Sequence, residues 1–285
     1  MVAENARISP KWRDLNKWRD LKERIASGVV LVVFGGGLLW LGGVWSAIMI
    51  AIAAGTMAWE YRAIVTASQS GFQRQDLYFP IIVSAAPLMT HIDGRITPAL
   101  ALIGGSCIAA ASMDRGGGRD WRWSAPGLLF LGIASSAFVL LRDQPQFGFE
   151  VVVWLVLVVV ATDIGGYFAG RLFGGPKLAP TISPKKTWAG LAGGAALASL
   201  AGGLFSWATI GTYAEEVATV SLIAALVAQA GDLAESGLKR RFNVKDSSAL
   251  IPGHGGVLDR LDGLLAATLV AAAFTFIRGK EVFVW

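Results

Sequence analysis

The chain has 285 residues, 54% of them hydrophobic, with 25 Lys and Arg against 20 Asp and Glu. A mean hydropathy of +0.55 excludes an ordinary soluble globular domain, and the single cysteine, Cys107, excludes a disulfide framework or a cysteine-rich metal site. The formal net charge of +5 suits contact with anionic headgroups or phosphorylated substrates.

Residues 1–26 carry Arg7, Lys11, Arg13, Lys17, Arg19, Lys22 and Arg24 before any apolar run. Trp12, Leu15, Trp18, Leu21 and Ile25 recur among them at helical spacing, which describes either a helix lying on the headgroups or a solvated basic arm. No small-residue cleavage site follows, so a cleavable signal is not expected. Nine apolar spans come next, near 27–42, 44–62, 77–92, 97–112, 126–141, 150–170, 188–210, 217–237 and 261–278. The expected fold is all-α, a polytopic integral membrane protein of about nine transmembrane helices. It divides into the arm at 1–26, the N-terminal helices at 27–149 and a C-terminal catalytic region at 150–285. Gly35, Gly36 and Gly37, like Gly193, Gly194, Gly202 and Gly203, are expected to let helices approach closely.

With the N-terminus inside, only Arg95, Arg142, Arg278 and Lys280 of the 25 basic residues fall on outer segments. That satisfies the positive-inside rule. The same orientation puts two polar loops, near 171–187 and 238–260, on the cytoplasmic side, where they are expected to converge on one cavity.

The chemistry concentrates between Ser236 and Asp262. Lys239, Arg240, Arg241, Lys245 and Arg260 stand among Asp246, Asp259 and Asp262, wedged between two hydrophobic segments where unpaired charge is costly. Asp232 and Glu235 are three apart and share a helix face, which Ser236 and Lys239 continue. Asp259 and Asp262 repeat that spacing at the start of the last span. Carboxylates with few histidines are oxygen-donor chemistry and favour Mg²⁺ over zinc, whereas plain ion pairs such as Glu235 with Lys239 are the structural alternative. The basic residues suit a polyphosphate whose charge grows during phosphoryl or nucleotidyl transfer. The turn Pro252-Gly253-His254-Gly255-Gly256 offers backbone N–H groups as an anion nest, and His254 offers a phosphate contact, a proton or a structural hydrogen bond.

Upstream, Asp163 follows a strongly apolar run and calls for a metal, a sugar hydroxyl or a cation such as Arg171. Ser183, Lys185, Lys186 and Thr187 precede a helix, where N–H dipoles favour anions. No G-x-x-x-x-G-K-[ST] loop, His-Glu-x-x-His pair or convincing Ser-His-Asp order occurs. His91 belongs near an outer loop and has no expected role in chemistry.

These residues carry a family likeness. Ser236-x-Leu238-Lys239-Arg240, then Lys245-Asp246-x-Ser248, then Ile251-Pro252-x-His254-Gly255-Gly256-Val257-x-Asp259-Arg260-Leu261-Asp262 resembles the whole signature of the phosphatidate cytidylyltransferases, also called CDP-diacylglycerol synthases. Asp163 with Tyr167-Phe168-x-Gly170-Arg171, and Ser183-Pro184-Lys185-Lys186-Thr187-Trp188, are similar to that family too. Thr162 and Ala189 depart from it, standing where many members have Trp and Glu. The resemblance implies transfer of the cytidylyl group of CTP to phosphatidate, with pyrophosphate released. It also implies Mg²⁺, a potassium ion as a possible second cation, and a homodimer. Asp232, Asp259 and Asp262 are then the expected metal ligands. Lys239, Arg240, Lys245, Asp246 and His254 complete the catalytic set, and Asp163, Ser183, Lys185, Lys186, Ser236, Gly255, Gly256 and Arg260 the substrate-binding set. The expected place is the bacterial inner (plasma) membrane, with the N-terminus and site facing the cytoplasm, membrane lipids as surroundings and no nucleic-acid partner.

Two other readings compete. A CTP-dependent polyprenol or lipid-alcohol kinase would use similar groups but attack the γ-phosphorus, and an ion-coupled transporter would place acids at the midplane. A CDP-alcohol phosphatidyltransferase is excluded, because Ala266-Ala267 replaces the Ala-Arg pair of that motif and no aspartate follows Asp262.

Overall fold

The computed structural model describes residues 25–67, 73–116 and 121–285, so most of the basic arm expected at 1–26 lies outside the described residues. Nine helices form among them, each on one of the apolar runs. These are α1 (Ile25–Leu41), α2 (Gly43–Ala67), α3 (Tyr78–Asp93), α4 (Thr97–Gly116), α5 (Trp121–Arg142), α6 (Gly148–Leu172), α7 (Trp188–Thr209), α8 (Ala214–Arg241) and α9 (Leu258–Arg278). Seven are long and apolar enough to cross a bilayer, which makes the chain a multi-pass membrane protein. The expected count of nine spans therefore holds for helices but not for full crossings. The 16 residues of α3 reach about 24 Å, short of a hydrocarbon core of about 30 Å. Helix α1 is short as well and carries a π-helical turn at Leu31–Gly35.

Two apolar clusters hold the bundle. One joins Trp154, Leu155 and Val158 of α6 to Ala198 of α7, Val217, Ala224 and Ala225 of α8, and Ala267 and Ala271 of α9. Phe283, beyond α9, folds back into it, and the Trp154 indole donates 2.8 Å to the Ser221 hydroxyl inside. The second ties Met57, Val65, Phe79, Leu128 and Leu131 of the N-terminal helices to Leu238, Phe242, Leu258 and Leu265. It thus clamps both ends of the signature segment onto the first half of the chain.

Helices α6 and α7 meet backbone to backbone. A methyl on Gly165 would lie 2.7 Å from the Gly193 carbonyl oxygen, and one on Gly194 2.6 Å from that of Thr162. No side chain fits such a seam. Among the described residues a methyl on Gly35, Gly36 or Gly37 would meet nothing within 4 Å, so the expected close approach is not seen there. Between α1 and α2, Gly42 takes a positive φ of 67° while the Arg142 guanidinium occupies the space a side chain would need. Arg142 uses that opening to donate 2.7 Å to Leu39 O and 3.2 Å to Trp40 O, satisfying the last carbonyls of α1.

The connection between α6 and α7 holds the one two-stranded sheet among the described residues. A hairpin pairs β1 (Lys177–Ala179) antiparallel with β2 (Ser183–Thr187). Thr187 ends it and caps α7, its hydroxyl accepting 3.0 Å from Gly190 N.

Candidate active site

Helix α8 runs one turn past the expected limit, to Arg241, and α9 starts one turn earlier, at Leu258. Lys239 is therefore a helical residue one turn beyond Glu235, and Asp259 and Asp262 face from the opening turns of α9. Where α6, α8 and α9 meet lies a cavity of about 240 Å³. Asp163 reaches it from α6, Asp232, Glu235 and Lys239 from α8, and Asp259, Arg260 and Asp262 from α9. Asp246 joins them from the connecting loop. The two acids on which the metal-site expectation depends, Asp232 and Asp259, thus line one cavity.

The ion pairs are specific. Lys239 Nζ lies 2.6 Å from Glu235 Oε2 and 2.8 Å from Asp259 Oδ1, with all three side chains largely buried. The structural pairing of Glu235 with Lys239 is therefore present, yet Lys239 also bridges α8 to α9. Lys186, at the end of the hairpin, donates 2.5 Å to Asp232 Oδ2 and 2.9 Å to Gln229. Ser236 donates 3.3 Å to the other Asp232 oxygen. Asp163 does not pair with Arg171, which donates to the Tyr167 hydroxyl at 2.7 Å. Its recorded contact is a long bond, 3.4 Å, from the Gln229 amide.

The glycine-rich turn departs from the anion-nest expectation. Its amides point into the protein: Gly255 N donates 3.1 Å to Ile251 O, and Gly256 N donates 2.9 Å to Asp259 Oδ2. Asp259 also accepts 3.0 Å bonds from the Ser247 amide and hydroxyl, so both its oxygens are engaged. Asp259 stands at the cavity as the clasp of the 242–257 loop, with less accepting capacity left for a metal than Asp232 or Asp262. His254 does not line the cavity; its Nδ1 is 2.9 Å from the Ser27 hydroxyl at the start of α1. Arg240 donates 3.4 Å to Ile182 O and so tethers the hairpin to α8. Ser183, Lys185 and Lys245 do not line the cavity, and both lysines are exposed. His91 pairs with Asp143 at 2.6 Å, far along the chain from the signature.

The residue that sequence reasoning missed is Glu60, fully buried in α2. It accepts from the Ser248 hydroxyl at 2.6 Å, Leu258 N at 2.7 Å, Val257 N at 3.0 Å and the Ser247 hydroxyl at 3.3 Å. An acid ending the apolar run Gly43–Trp59 was the available signal. Its partners, 187 to 198 residues away, were not.

The donor set fits a hard cation. Six carboxylates line the cavity against Lys239 and Arg260, and Glu235 Oε1 is buried without a hydrogen-bond partner among the described residues. Among those residues no three acidic, histidine or cysteine side chains form a ready-made cage. A hard cation such as Mg²⁺ takes one or two carboxylates and completes its shell with water and substrate phosphate.

The model of the Cytidylyltransferase family matches residues 22–278. Phosphatidate cytidylyltransferase of Brucella suis is 39% identical over 257 residues, covering 90% of this chain and 93% of that protein. The enzyme of that name from Pseudomonas aeruginosa is 36% identical over 276 residues, covering 91% and 98%. That from Bacillus subtilis is 38% identical over 138 residues, covering 48% and 51%. With the family match running through nearly the whole length, the chain belongs to the cytidylyltransferase family.

Proposed function

We infer that this chain is a phosphatidate cytidylyltransferase. It transfers the cytidylyl group of CTP to phosphatidate, forming CDP-diacylglycerol and pyrophosphate for phospholipid synthesis. The observation that carries the reading is the convergence of Asp163, Asp232, Asp259, Asp262, Lys239 and Arg260 on one cavity among membrane helices, in a chain so similar to enzymes of that name.

The reaction is an in-line exchange at the α-phosphorus of CTP. A phosphate oxygen of phosphatidate attacks, the new P–O bond forms, and the bond to the β-phosphate breaks with its electron pair leaving on pyrophosphate. The nucleophile is already an anion, so no strong general base is required. The protein's work is alignment and charge neutralisation. Lys239 and Arg260 face the cavity as cations. Lys186 does not line it but pairs with Asp232, which does, and is available to a phosphate once that carboxylate finds another partner. Asp232 and Asp262 would hold Mg²⁺, with Asp163 and the free oxygen of Glu235 near. When bound, that ion neutralises the polyphosphate and orients its oxygens. A potassium ion beside it and a homodimeric assembly rest on the family resemblance.

The inner membrane of a bacterium, with the cavity on the cytoplasmic side, is supported by the distribution of basic residues. Of the cavity acids, Asp259 and Asp262 lie in the opening turns of α9, whereas Asp163 and Asp232 lie nearer the middle of α6 and α8. The similarity to enzymes of that name over nearly the whole chain favours the transferase over a transporter. The test is purified protein given CTP, Mg²⁺ and phosphatidate. Equal yields of CDP-diacylglycerol and pyrophosphate are expected, whereas release of CDP, or no lipid product at all, overturns the assignment.

A further inference from the structure

We propose that Glu60, from the N-terminal half of the chain, is a positioning residue that sets the catalytic end of α9. The proposal rests on the cytidylyltransferase reading for its consequence in turnover and on geometry for its mechanism.

Helix α9 begins without a side-chain cap of its own. Its leading amides, Val257 N and Leu258 N, belong to the orphan donors that every helix start must satisfy. Glu60 satisfies both from another helix. Each carboxylate oxygen takes two donors: Oε1 accepts from Ser248 Oγ and Val257 N, and Oε2 from Ser247 Oγ and Leu258 N. Two donors come from the incoming arm of the signature loop and two from its outgoing arm. Glu60 therefore pinches the loop shut immediately before Asp259, Arg260 and Asp262.

Asp259 grips the same loop from the other side, through Ser247 and Gly256. The Ser247 hydroxyl lies between the two acids, 3.3 Å from Glu60 and 3.0 Å from Asp259. The position of Asp259 in turn sets that of Lys239. A chain of contacts thus runs from α2 to the cavity, although Glu60 does not line it. Gly256 shows how little slack exists, since a methyl there would lie 1.9 Å from Ser247 Oγ and 2.6 Å from Glu60 Oε1.

The arrangement needs a carboxylate. Three donors face Glu60 alone, and the single Ser247 hydroxyl proton is shared with Asp259, so Glu60→Gln turns an NH₂ group toward N–H and O–H groups that need an acceptor. Glu60→Gln should lower kcat per folded molecule by roughly 10–100-fold, with KM for CTP and for phosphatidate within about threefold of wild type. Added protease should cleave the 242–257 loop about tenfold faster as the pinch loosens. Gly256→Ala, which unseats Glu60 without altering it, should reproduce both effects. The double variant should lose no more than about threefold beyond either single one, because both disrupt one contact.

Wild-type kcat per folded molecule in Glu60→Gln overturns the proposal, whatever happens to its melting temperature. Fully multiplicative losses in the double variant do so as well, because they make Gly256 act independently of Glu60. Should Glu60→Gln fail to fold, Gly256→Ala alone decides, and wild-type turnover with an unchanged cleavage rate refutes the pinch. If the wild-type protein makes no CDP-diacylglycerol, the enzyme assignment fails. Loop cleavage then still decides the positioning, with faster cutting in the variants supporting it and unchanged cutting overturning it.

Discussion

Replacing Lys239 with Met separates what this side chain does for the fold from what it does for the reaction. Its ammonium lies 2.6 Å from Glu235 and 2.8 Å from Asp259, whose side chains are 7% and 6% exposed. Met keeps the aliphatic length but leaves two buried carboxylates facing a vacated space. Breaking a buried pair on one side costs about 3–5 kcal/mol. At roughly 2–4 °C per kcal/mol for a chain of this size, the melting temperature should fall by roughly 6–20 °C. A second change, Glu235→Gln, removes one stranded charge and should recover roughly half of that loss. Turnover should not follow stability. The cation is absent from the cavity in both variants, so product formation should remain down by roughly 10²–10³-fold. The assay is thermal unfolding in detergent beside the initial rate of CDP-diacylglycerol formation. An unchanged melting temperature in Lys239→Met refutes the buried-pair argument. Recovery of turnover in the double variant refutes a catalytic role and leaves Lys239 a structural counter-ion.

Asp232→Asn should reduce turnover by roughly 100-fold while moving the melting temperature by no more than about 3 °C, because its pair with Lys186 is a third exposed and worth at most about 1 kcal/mol. Near-normal turnover in a folded protein would remove Asp232 from the site. Gly194→Ala drives a methyl to 2.6 Å from the Thr162 carbonyl and should cost about 1–3 kcal/mol. Gly36→Ala, which meets nothing within 4 Å, should be neutral or stabilising by up to about 1 kcal/mol. Melting curves of the two variants compare them directly, and equal losses would dissolve the glycine seam. His254→Ala should lose less than the roughly 10²-fold that removing a proton-transfer group brings, since the ring rests on Ser27 outside the cavity. A larger loss in kcat, with the fold intact, returns His254 to the reaction.

The helices were legible because each is an apolar run, seven of them of bilayer scale, and hydropathy needs no partner to be read. The meeting of Asp232 with Asp259 was legible as well, because span counting put both loops on one side and helical spacing aligned the acids. Other features depend on groups distant in sequence. The Lys177–Thr187 hairpin is too short to register as a strand pattern. The amides of Gly255 and Gly256 resembled a phosphate nest until Ile251 and Asp259 were seen to take them. Glu60 showed only as an acid at the edge of a hydrophobic run, and its significance lies in four donors from the far end of the chain. Glycines illustrate the same limit. Gly165 and Gly194 pack a seam and Gly36 does not, and composition alone could not separate them.

The contact between α6 and α7 leaves no gap for either helix to slide or part without losing it along its length. Asp163, carried by the first, and the hairpin bearing Lys186, which joins the two, therefore move as one wall. A two-tailed lipid arriving from the bilayer must find its doorway at a looser boundary of the bundle.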